Sequence, residues 1–281
     1  MRIWKIVFML ELLIIASLVL AFLSFDNRKF KLIACDVGQG DATLAIYGNV
    51  QILTDGGPDA KVLDCLGTYM PYWDNTLELI ILTHPDKDHF GGLIDVFQRY
   101  EVINFLKSKA NNSSQDYQLL ENIVRGRGVN TLYAIDGLKL RLGKIYLDIL
   151  NPQDSNDGKI EEKELNNSSV VSILKFGNFK ALLTGDIEIE GINRLISEGK
   201  IPNVSYLKIP HHGSKNNITT GLLRFSSPEL AVISVGKNSY GHPNKEVLDL
   251  LSNYNIQNVF ITSRDKDIII ESNGIIWWVN K

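Results

Sequence analysis

The chain has 281 residues, of which 44% are apolar and 22% charged, and its formal net charge is −3. This length provides one large domain or two small ones, and the charge gives no support for a strongly basic nucleic-acid-binding protein, although a local basic patch is compatible with it. Cys35 and Cys65 are too few for a disulfide scaffold, so the redox compartment stays open.

Residues 6–25 form a segment with the length and apolar character of a membrane-spanning helix. About 20 residues at about 1.5 Å each span the roughly 30 Å hydrocarbon layer. Glu11 lies away from the centre of this segment, where a carboxylate is less costly. We predict an uncleaved single-span anchor, with a cleaved signal peptide or a buried helix as alternatives. The predicted division is an anchor and linker over residues 1–29 and a single domain over 30–281.

Apolar runs bounded by glycine turns predict three strands at the start of this domain, followed by a helix. A glycine-rich loop, DVGQGDA, lies between the first two strands and begins at Asp36. It lacks the Lys-Ser/Thr of a phosphate-binding P-loop and leads into a strand, so that function is not predicted. Asp55 follows the third strand, in a turn with two glycines. The predicted ranges are 31–36, 42–47 and 51–54 for the strands and 60–69 for the helix.

The next strand, predicted over 79–82, ends in a polar cluster that contains His84, Pro85, Asp86, Asp88 and His89. Pro85 disfavours a helix through the cluster, so we predict a tight loop, with Asp88 also able to cap the following helix at 92–100. Histidine nitrogens and carboxylate oxygens are the ligands that hydrolytic divalent metal sites most often combine. The alternative is a solvated loop whose polar groups only cap the helix.

The rest of the chain alternates strands with single helices, and three further strands lead into polar side chains. Asp186 follows the strand at 180–183, the pair His211–His212 follows the strand at 204–209, and His242 follows the strand at 230–235. Residues 151–167 are aperiodic and predict an exposed loop. The remaining strands are predicted at 102–106, 131–135, 138–142, 145–150, 170–176, 259–261, 268–270 and 275–279, and the remaining helices at 116–126, 187–198 and 244–254.

The pattern HxDxDH at 84–89 resembles the HxHxDH signature of the metallo-β-lactamase fold superfamily, with Asp86 in place of the second histidine. Together with DVGQGDA and the HHGS segment at 211–214, it resembles the hydrolase domain of the ComEC-type competence proteins. This resemblance covers roughly residues 30–281. It implies an α/β (α+β) fold, an αββα sandwich with the ligand loops along one edge of the sheets, here preceded by a single transmembrane helix.

The resemblance also implies two divalent metal ions, Zn or Mn, and a role for each matching residue. One ion is expected on His84 and Asp86 and the other on Asp88, His89 and a histidine of the 211–212 pair, with Asp186 as the bridge. We predict His211 as that ligand, although the residues alone leave the choice within the pair open. Catalytic contributions are predicted for Asp88, His212 and His242, and contacts that support the ligands for Asp36, Asp55, Asn167 and Ser168.

One departure from the superfamily pattern affects the first ion. The superfamily has a further histidine between the HxHxDH loop and the bridging aspartate, but this chain has no histidine between His89 and His211. Asn167 or Ser168 stands roughly at that place. Both are poor Zn²⁺ ligands, so the first ion is expected to bind more weakly or to be a harder ion such as Mn²⁺.

Two cations would lower the pKa of a water molecule toward 7, giving a hydroxide nucleophile, and would offset negative charge on the reacting centre. The resemblance favours a phosphodiester substrate, including single-stranded DNA, at the membrane, with the catalytic domain on the extracytoplasmic side. The alternatives are a metallohydrolase of another ester or amide, such as a choline phosphodiester or a lactam, and a non-catalytic anchored domain of the same fold.

Overall fold

The computed structural model describes residues 2–25, 29–153 and 165–280. Outside an N-terminal helix, the strands form two sheets. The first sheet contains β1 (Phe30–Ala34), β2 (Thr43–Tyr47), β3 (Val50–Thr54), β4 (Thr76–Leu82), β5 (Glu101–Lys107), β6 (Asn130–Tyr133), β14 (Ile268–Ser272) and β15 (Trp277–Asn280). The second contains β7 (Lys139–Leu142), β8 (Ile145–Asn151), β9 (Val171–Phe176), β10 (Phe179–Leu183), β11 (Tyr206–Lys208), β12 (Leu230–Ile233) and β13 (Asn258–Ile261).

The strand order places a block of parallel strands in each sheet. The first sheet runs β15-β14-β1-β2-β3-β4-β5-β6, and β3 to β6 are parallel. The second runs β13-β12-β11-β10-β9-β8-β7, and β10 to β13 are parallel. Parallel strands end at a common edge of their sheet, so the loops after β3, β4, β10, β11 and β12 are brought together.

An N-terminal helix, α1 (Arg2–Phe25), precedes the sandwich. The outer faces of the sheets are covered by the other helices, which are α2 (Val62–Tyr69), α3 (Lys87–Phe90), α4 (Leu93–Arg99), α5 (Gln115–Gly126), α6 (Ile189–Ser197), α7 (Thr220–Ser226), α8 (Lys245–Asn253) and α9 (Thr262–Asp265). One apolar core lies between the sheets, a second under α2, α4 and α5, and a third under α6, α7 and α8. These layers form the αββα sandwich that the sequence predicts.

The polar cluster after β4 is more helical than predicted. Residues 84–86 form a loop, but α3 begins at Lys87, and the backbone N–H groups of His89 and Phe90 donate to Asp86 O at 2.9 and 3.0 Å. Pro85 disfavours a helix only around its own position, so a helix can begin two residues later, at Lys87. Asp88 therefore lies inside α3 and does not cap the next helix, whose N-cap is Gly92. Of the predicted loop at 151–167, residues 154–164 lie outside the described residues.

Two further features bear on location. The window Ile3–Leu20 of α1 has a mean hydropathy of 2.4 and is not buried, so α1 is long and apolar enough to cross a membrane. A buried helix is thereby wrong for this window. The Cys35 and Cys65 side chains form a disulfide that joins the segment after β1 to α2.

Candidate metal centre

The ends of strands from both sheets deliver polar side chains to one edge of the sandwich. Asp55 follows β3, His84 and His89 follow β4, and Asp186 follows β10. All four side chains are buried. The structure therefore brings together residues that are up to 131 positions apart in the chain, at the edge where the sequence predicts the ligand loops.

A chain of hydrogen bonds orients the two histidines of the cluster. His89 Nδ1 lies 2.9 Å from an oxygen of the Asp55 carboxylate, which also accepts from the Thr83 hydroxyl at 2.8 Å. His84 Nδ1 lies 3.1 Å from the same hydroxyl, to which it can donate. Both rings therefore keep Nε2 free, which is the arrangement that metal-binding histidines adopt when a carboxylate holds the other nitrogen. Asp55 makes the kind of contact predicted for it.

Asp186 occupies the middle of the cluster. Its Oδ2 lies 3.4 Å from His89 Nε2 and 3.4 Å from His212 Nε2. His212 Nε2 also lies 3.1 Å from Asp88 Oδ2. We call Asp88, His89 and His212 the His89 side of the centre. On the opposite side, which we call the His84 side, His84 Nε2 lies 3.4 Å from Asp86 Oδ2.

The two histidines of the 211–212 pair differ in their burial and in their distance from the carboxylates. His212 is buried, and its Nδ1 donates to the Ser234 carbonyl at 2.9 Å, so its Nε2 points to Asp186 and Asp88. His211 is 29% exposed, and its Nε2 lies 3.9 Å from Asp186 Oδ2. Both residues have positive φ, 48° and 53°, which turns the two neighbouring side chains in different directions from a strand end. The geometry thus favours His212, predicted as catalytic, as the metal ligand, and leaves His211, predicted as the ligand, as the more exposed ring of the pair.

Two residues that sequence reasoning missed lie at the base of the site. Asp41 and Lys208 are both buried, and the Lys208 ammonium contacts the Asp41 carboxylate. The ammonium also donates to the Gly185 carbonyl at 3.1 Å and lies 3.5 Å from Asp186 Oδ1. Lys208 therefore lies inside the cluster and not on the surface. The available signal was a single charge in an otherwise apolar strand just before the histidine pair.

Of the two aspartates in the glycine-rich loop, Asp41 lies in the site and Asp36 does not. The Asp36 carboxylate faces Lys266 at 3.4 Å. The backbone N–H of Asp41 donates to Asp88 O at 3.1 Å. Gly40 permits this approach, because a Cβ at that residue would lie 2.2 Å from Asp88 O. The carboxylate of this loop that reaches the histidines is therefore that of Asp41 and not that of Asp36.

Asn167 and Ser168 also form their hydrogen bonds outside the cluster. The Asn167 side chain accepts from the backbone N–H of Glu188 at 3.1 Å, and the Ser168 hydroxyl donates to Leu165 O at 2.6 Å. The adjacent Ser169 hydroxyl accepts from the backbone N–H of Asp186 at 3.1 Å. The serine that holds Asp186 is therefore one position beyond the predicted pair, because residues 166–168 form a short 3-10 turn.

His242 lies at the rim of the centre. Its ring centroid is 5.9 Å from that of His211 and 5.8 Å from that of Tyr240, and its Nδ1 is buried without a hydrogen-bond partner among the described residues. Burial lowers the pKa of His211 and of His242, so both imidazoles are neutral near pH 7. His211 and His242 therefore form a pair of uncharged side chains beside the buried cluster.

The interior of the cluster holds opposite charges in close contact. Burial alone would lower the pKa of His212, but Asp186 and Asp41 outweigh it and raise that pKa to about 10. The same competition raises the pKa of His89, mainly through Asp186 and Asp55. Burial would raise the pKa of Asp186, and the charges of His212, His89 and Lys208 lower it. Without a metal ion, the cluster is thus held together by protons on its histidines.

The donor set fits a divalent ion on the His89 side. Four donors about 2.1 Å from a tetrahedral ion lie about 3.4 Å from one another. The separations of 3.1 to 3.4 Å among the Asp88, His89, His212 and Asp186 donor atoms match this value where they are measured. In the part of the chain that the structure describes, the buried Nε2 atoms of His84 and His89 have no hydrogen-bond partner, as expected of nitrogens kept free for a metal.

The His84 side offers fewer donors. Beside His84 and Asp186 it has Asp86, whose side chain is 39% exposed. The second oxygen of Asp186 lies near the Lys208 ammonium, and neither Asn167 nor Ser168 directs its side chain here. The fit to an ion on the His84 side is therefore weaker than the fit to an ion on the His89 side.

Fold and site together define the class of the protein. The chain has the metallo-β-lactamase fold, with the ligand-type residues at the sheet edge where the motif resemblance places them. Two solved structures share this fold: the metallo-beta-lactamase fold protein YhfI from Bacillus subtilis (TM-score 0.56, 14% identity, 86% of this chain and 100% of that chain) and CmlA, a diiron beta-hydroxylase from Streptomyces venezuelae (TM-score 0.59, 15% identity, 87% and 54%). No family model matches the chain.

Relatives with curated names make the resemblance more specific. The chain is 30% identical to ComE operon protein 3 of Bacillus subtilis (strain 168) over 184 residues, 64% of this chain and 23% of that protein. It is 26% identical to Recombination protein 2 of Haemophilus influenzae over 253 residues, 86% and 29%. A metal-dependent hydrolase of Saccharolobus solfataricus is 27% identical over 112 residues, 37% and 45%. The chain spans less than a third of the length of the first two relatives.

Proposed function

We propose that the protein is a membrane-anchored, metal-dependent phosphodiesterase or nuclease. The observation that carries this proposal is the cluster of His84, His89, His212, Asp88 and Asp186 at the sheet edge, with donor separations that fit a divalent ion. The fold and the metal-dependent hydrolase relative support a hydrolase. The competence-protein relatives favour DNA, and single-stranded DNA in particular, as the substrate.

The proposed cofactors are divalent ions, Zn or Mn, bound with unequal affinity. The His89 side supplies three protein ligands in addition to Asp186, and Asp55 and Ser234 hold two of their rings in place. The His84 side has one buried histidine and one half-exposed carboxylate. Carboxylate-rich sites favour harder ions, so Mn²⁺ is the better match to the weaker position.

Bound ions of this kind lower the pKa of water toward 7 and offset the negative charge of a phosphoryl group. The chain's own residues orient the ligands, compensate the buried charges and contact the substrate. Asp55, Thr83 and Ser234 fix the ring orientations, and Lys208 compensates the buried charges of Asp41 and Asp186. We assign His211 and His242, whose rings lie beside the cluster, to hold a phosphoryl oxygen or to pass a proton to the leaving oxygen.

We also propose that α1 anchors the protein in the membrane and that the catalytic domain lies on the extracytoplasmic side. The apolar helix α1 supports a single membrane span. The disulfide between Cys35 and Cys65 supports an extracytoplasmic domain, because such bonds persist in oxidising compartments. Protease protection of the domain in intact cells tests this side directly.

The test is hydrolysis of bis-p-nitrophenyl phosphate and of single-stranded DNA by the full chain with Mn²⁺ or Zn²⁺. We expect both to be cleaved, and we expect Asp186→Asn to reduce kcat/KM by at least about 1,000-fold, or roughly 4 kcal/mol. Asp36→Asn is the matched control, because Asp36 faces Lys266 outside the cluster. Intact substrates with wild type, or an unaffected Asp186→Asn variant, would end the proposal.

The same assay separates the alternatives. Cleavage of a lactam or a choline phosphodiester, with no cleavage of DNA, would indicate a metallohydrolase of another ester or amide. Absence of bound metal together with no cleavage of any substrate would indicate a non-catalytic domain.

A further inference from the structure

The chain enters the domain at the end of the sandwich opposite the metal centre. β1 begins at Phe30, and its other end leads into the loop that carries Asp41. Only four peptide steps separate Phe25, the last residue of α1, from Lys29, so their Cα atoms lie within about 15 Å of each other. A membrane spanned by α1 is thus close to the start of β1. We call this end of the sandwich the anchor end.

The turn between β14 and β15 lies at the anchor end and exposes two isoleucines. Phe30 pairs with Ser272, the last residue of β14, so residues 273–276 lie beside the start of β1. Ile275 is 75% exposed and Ile276 is 61% exposed. The turn is well fixed, because the backbone N–H of Asn178 donates to Gly274 O at 2.7 Å.

A second exposed apolar group lies at the same end. Tyr72 and Trp73 are 95% and 72% exposed, and their rings contact each other edge to face at 4.7 Å. Their loop is held at the starts of β3 and β5. Gln51 donates to the Asp74 carboxylate at 3.1 Å, and the backbone N–H of Glu101 donates to Asn75 O at 2.9 Å.

The two groups flank the point where the anchor joins the sheet. In the order β14-β1-β2-β3-β4, the isoleucine turn lies on one side of β1 and the aromatic loop on the other. Four strand spacings of about 4.8 Å separate the outer strands by about 19 Å. Water would solvate such side chains poorly, whereas Tyr and Trp favour the boundary between lipid and water. Lys144 lies at the same end, over the Tyr47 ring, where anionic lipid headgroups would attract it.

We infer that the 71–75 loop and the 273–276 turn rest on the surface of the bilayer that α1 spans. This inference depends on the anchoring proposed above. The anchor and its two flanking groups give the domain three contacts, which fix its tilt and turn the opposite ends of the strands away from the lipid. Strands of five to seven residues place the metal centre about 17–23 Å above the membrane surface. The substrate is therefore a phosphodiester dissolved in water and not a phospholipid of the same membrane.

The experiment is tryptophan quenching in the full chain, reconstituted in phosphatidylcholine–phosphatidylglycerol vesicles. The lipids carry bromine near the headgroup end of the acyl chain, and unbrominated vesicles give the reference. The signal of Trp73 is the difference between wild type and Trp73→Phe. In the Trp73→Phe background, Ile276→Trp probes the turn, and Tyr240→Trp is a control of similar exposure at the metal-centre end. Trp4, read from Trp4→Phe, reports whether α1 is in the bilayer.

We expect brominated lipid to reduce the emission from positions 73 and 276 at least twofold and to leave position 240 unchanged. Quenching of Trp4 without quenching at 73 and 276 would overturn the inference and leave the anchor intact, which would assign this surface to a protein partner. Equal quenching at 73, 276 and 240 would also overturn it, because the domain would then lack a fixed tilt. Absence of Trp4 quenching would overturn both the anchor and the inference, and hydrolysis of the soluble phosphodiester would still test the catalytic proposal.

Discussion

The two sides of the metal centre differ in how firmly the protein holds their ligands. On the His89 side, Asp55 and the Ser234 carbonyl fix the two imidazole rings, and both rings are buried. On the His84 side, the Thr83 hydroxyl supports the single histidine, His84. The carboxylates do not distinguish the sides, because Asp86 is 39% exposed and Asp88 on the His89 side is 35% exposed. If the centre binds two ions as proposed, the His89 side, with two supported rings, should hold its ion more tightly than the His84 side, with one.

Alanine substitution of His89 and, separately, of His84 is the strongest test of this difference. We expect His89→Ala to weaken binding of the tighter ion at least about 100-fold and to reduce kcat/KM about 1,000-fold, because Nε2 and the bond to Asp55 are both lost. His84→Ala is the matched variant, with a similarly buried ring. It should weaken binding of the tighter ion, on the His89 side, no more than about tenfold. Calorimetric metal titration and phosphodiester kinetics measure both effects, and equal losses would remove the distinction between the sides.

Removal of the buried Lys208 ammonium should lower the free energy of unfolding of the protein, because Lys208 lies among closely packed carboxylates. Lys208→Met leaves the Asp41 and Asp186 carboxylates without their cation, which should cost about 3 kcal/mol of unfolding free energy, or roughly 6–12 °C in Tm. Scanning calorimetry in EDTA measures this loss.

Two further variants control this prediction. Lys215→Met removes an exposed lysine paired with Glu246 and should change Tm little. Adding Asp41→Asn to Lys208→Met should restore part of the loss, because both members of the pair then become neutral. Undiminished stability of Lys208→Met would show that the buried pair does not support the centre.

The smallest expected effect is the dependence of stability on pH without metal. In the folded chain the pKa of His212 is about 10, above its ordinary value of 6.5, so its stabilising contribution is complete below pH 6.5 and is lost as pH rises through 10. Tm in EDTA should fall by several degrees between pH 7 and pH 9. With metal bound, this fall should disappear because the ion replaces the proton. A rise of Tm over this range in EDTA would contradict the charge arrangement.

The sequence was most informative where a strand and its polar end are contiguous. Apolar runs before His84, Asp186 and the 211–212 pair predict strand ends, and the sandwich brings those ends to one edge. The αββα fold itself followed from motif resemblance combined with the alternation of strands and helices, and the structure confirms it. The division into an anchor over 1–29 and a domain over 30–281 stays a prediction.

The details that sequence could not supply depend on side-chain direction and on distant partners. Whether His211 or His212 turns inward depends on two left-handed backbone conformations at a strand end. Choosing Asp41 over Asp36 requires knowing that Gly40 packs against Asp88 and that Lys208, on a strand of the second sheet, contacts the Asp41 carboxylate. The offset from Asn167 and Ser168 to Ser169 is one residue of 3-10 geometry. None of these is a periodicity that an amino-acid pattern records.

The most direct measurement is metal content by elemental analysis, paired with hydrolysis of bis-p-nitrophenyl phosphate on the same sample. The full chain should retain about one ion after dialysis, take up a second at excess metal, and cleave the phosphodiester only when loaded. A chain that binds no divalent ion under any of these conditions, with the substrate left intact, would contradict the claim that these strand ends form a metal centre.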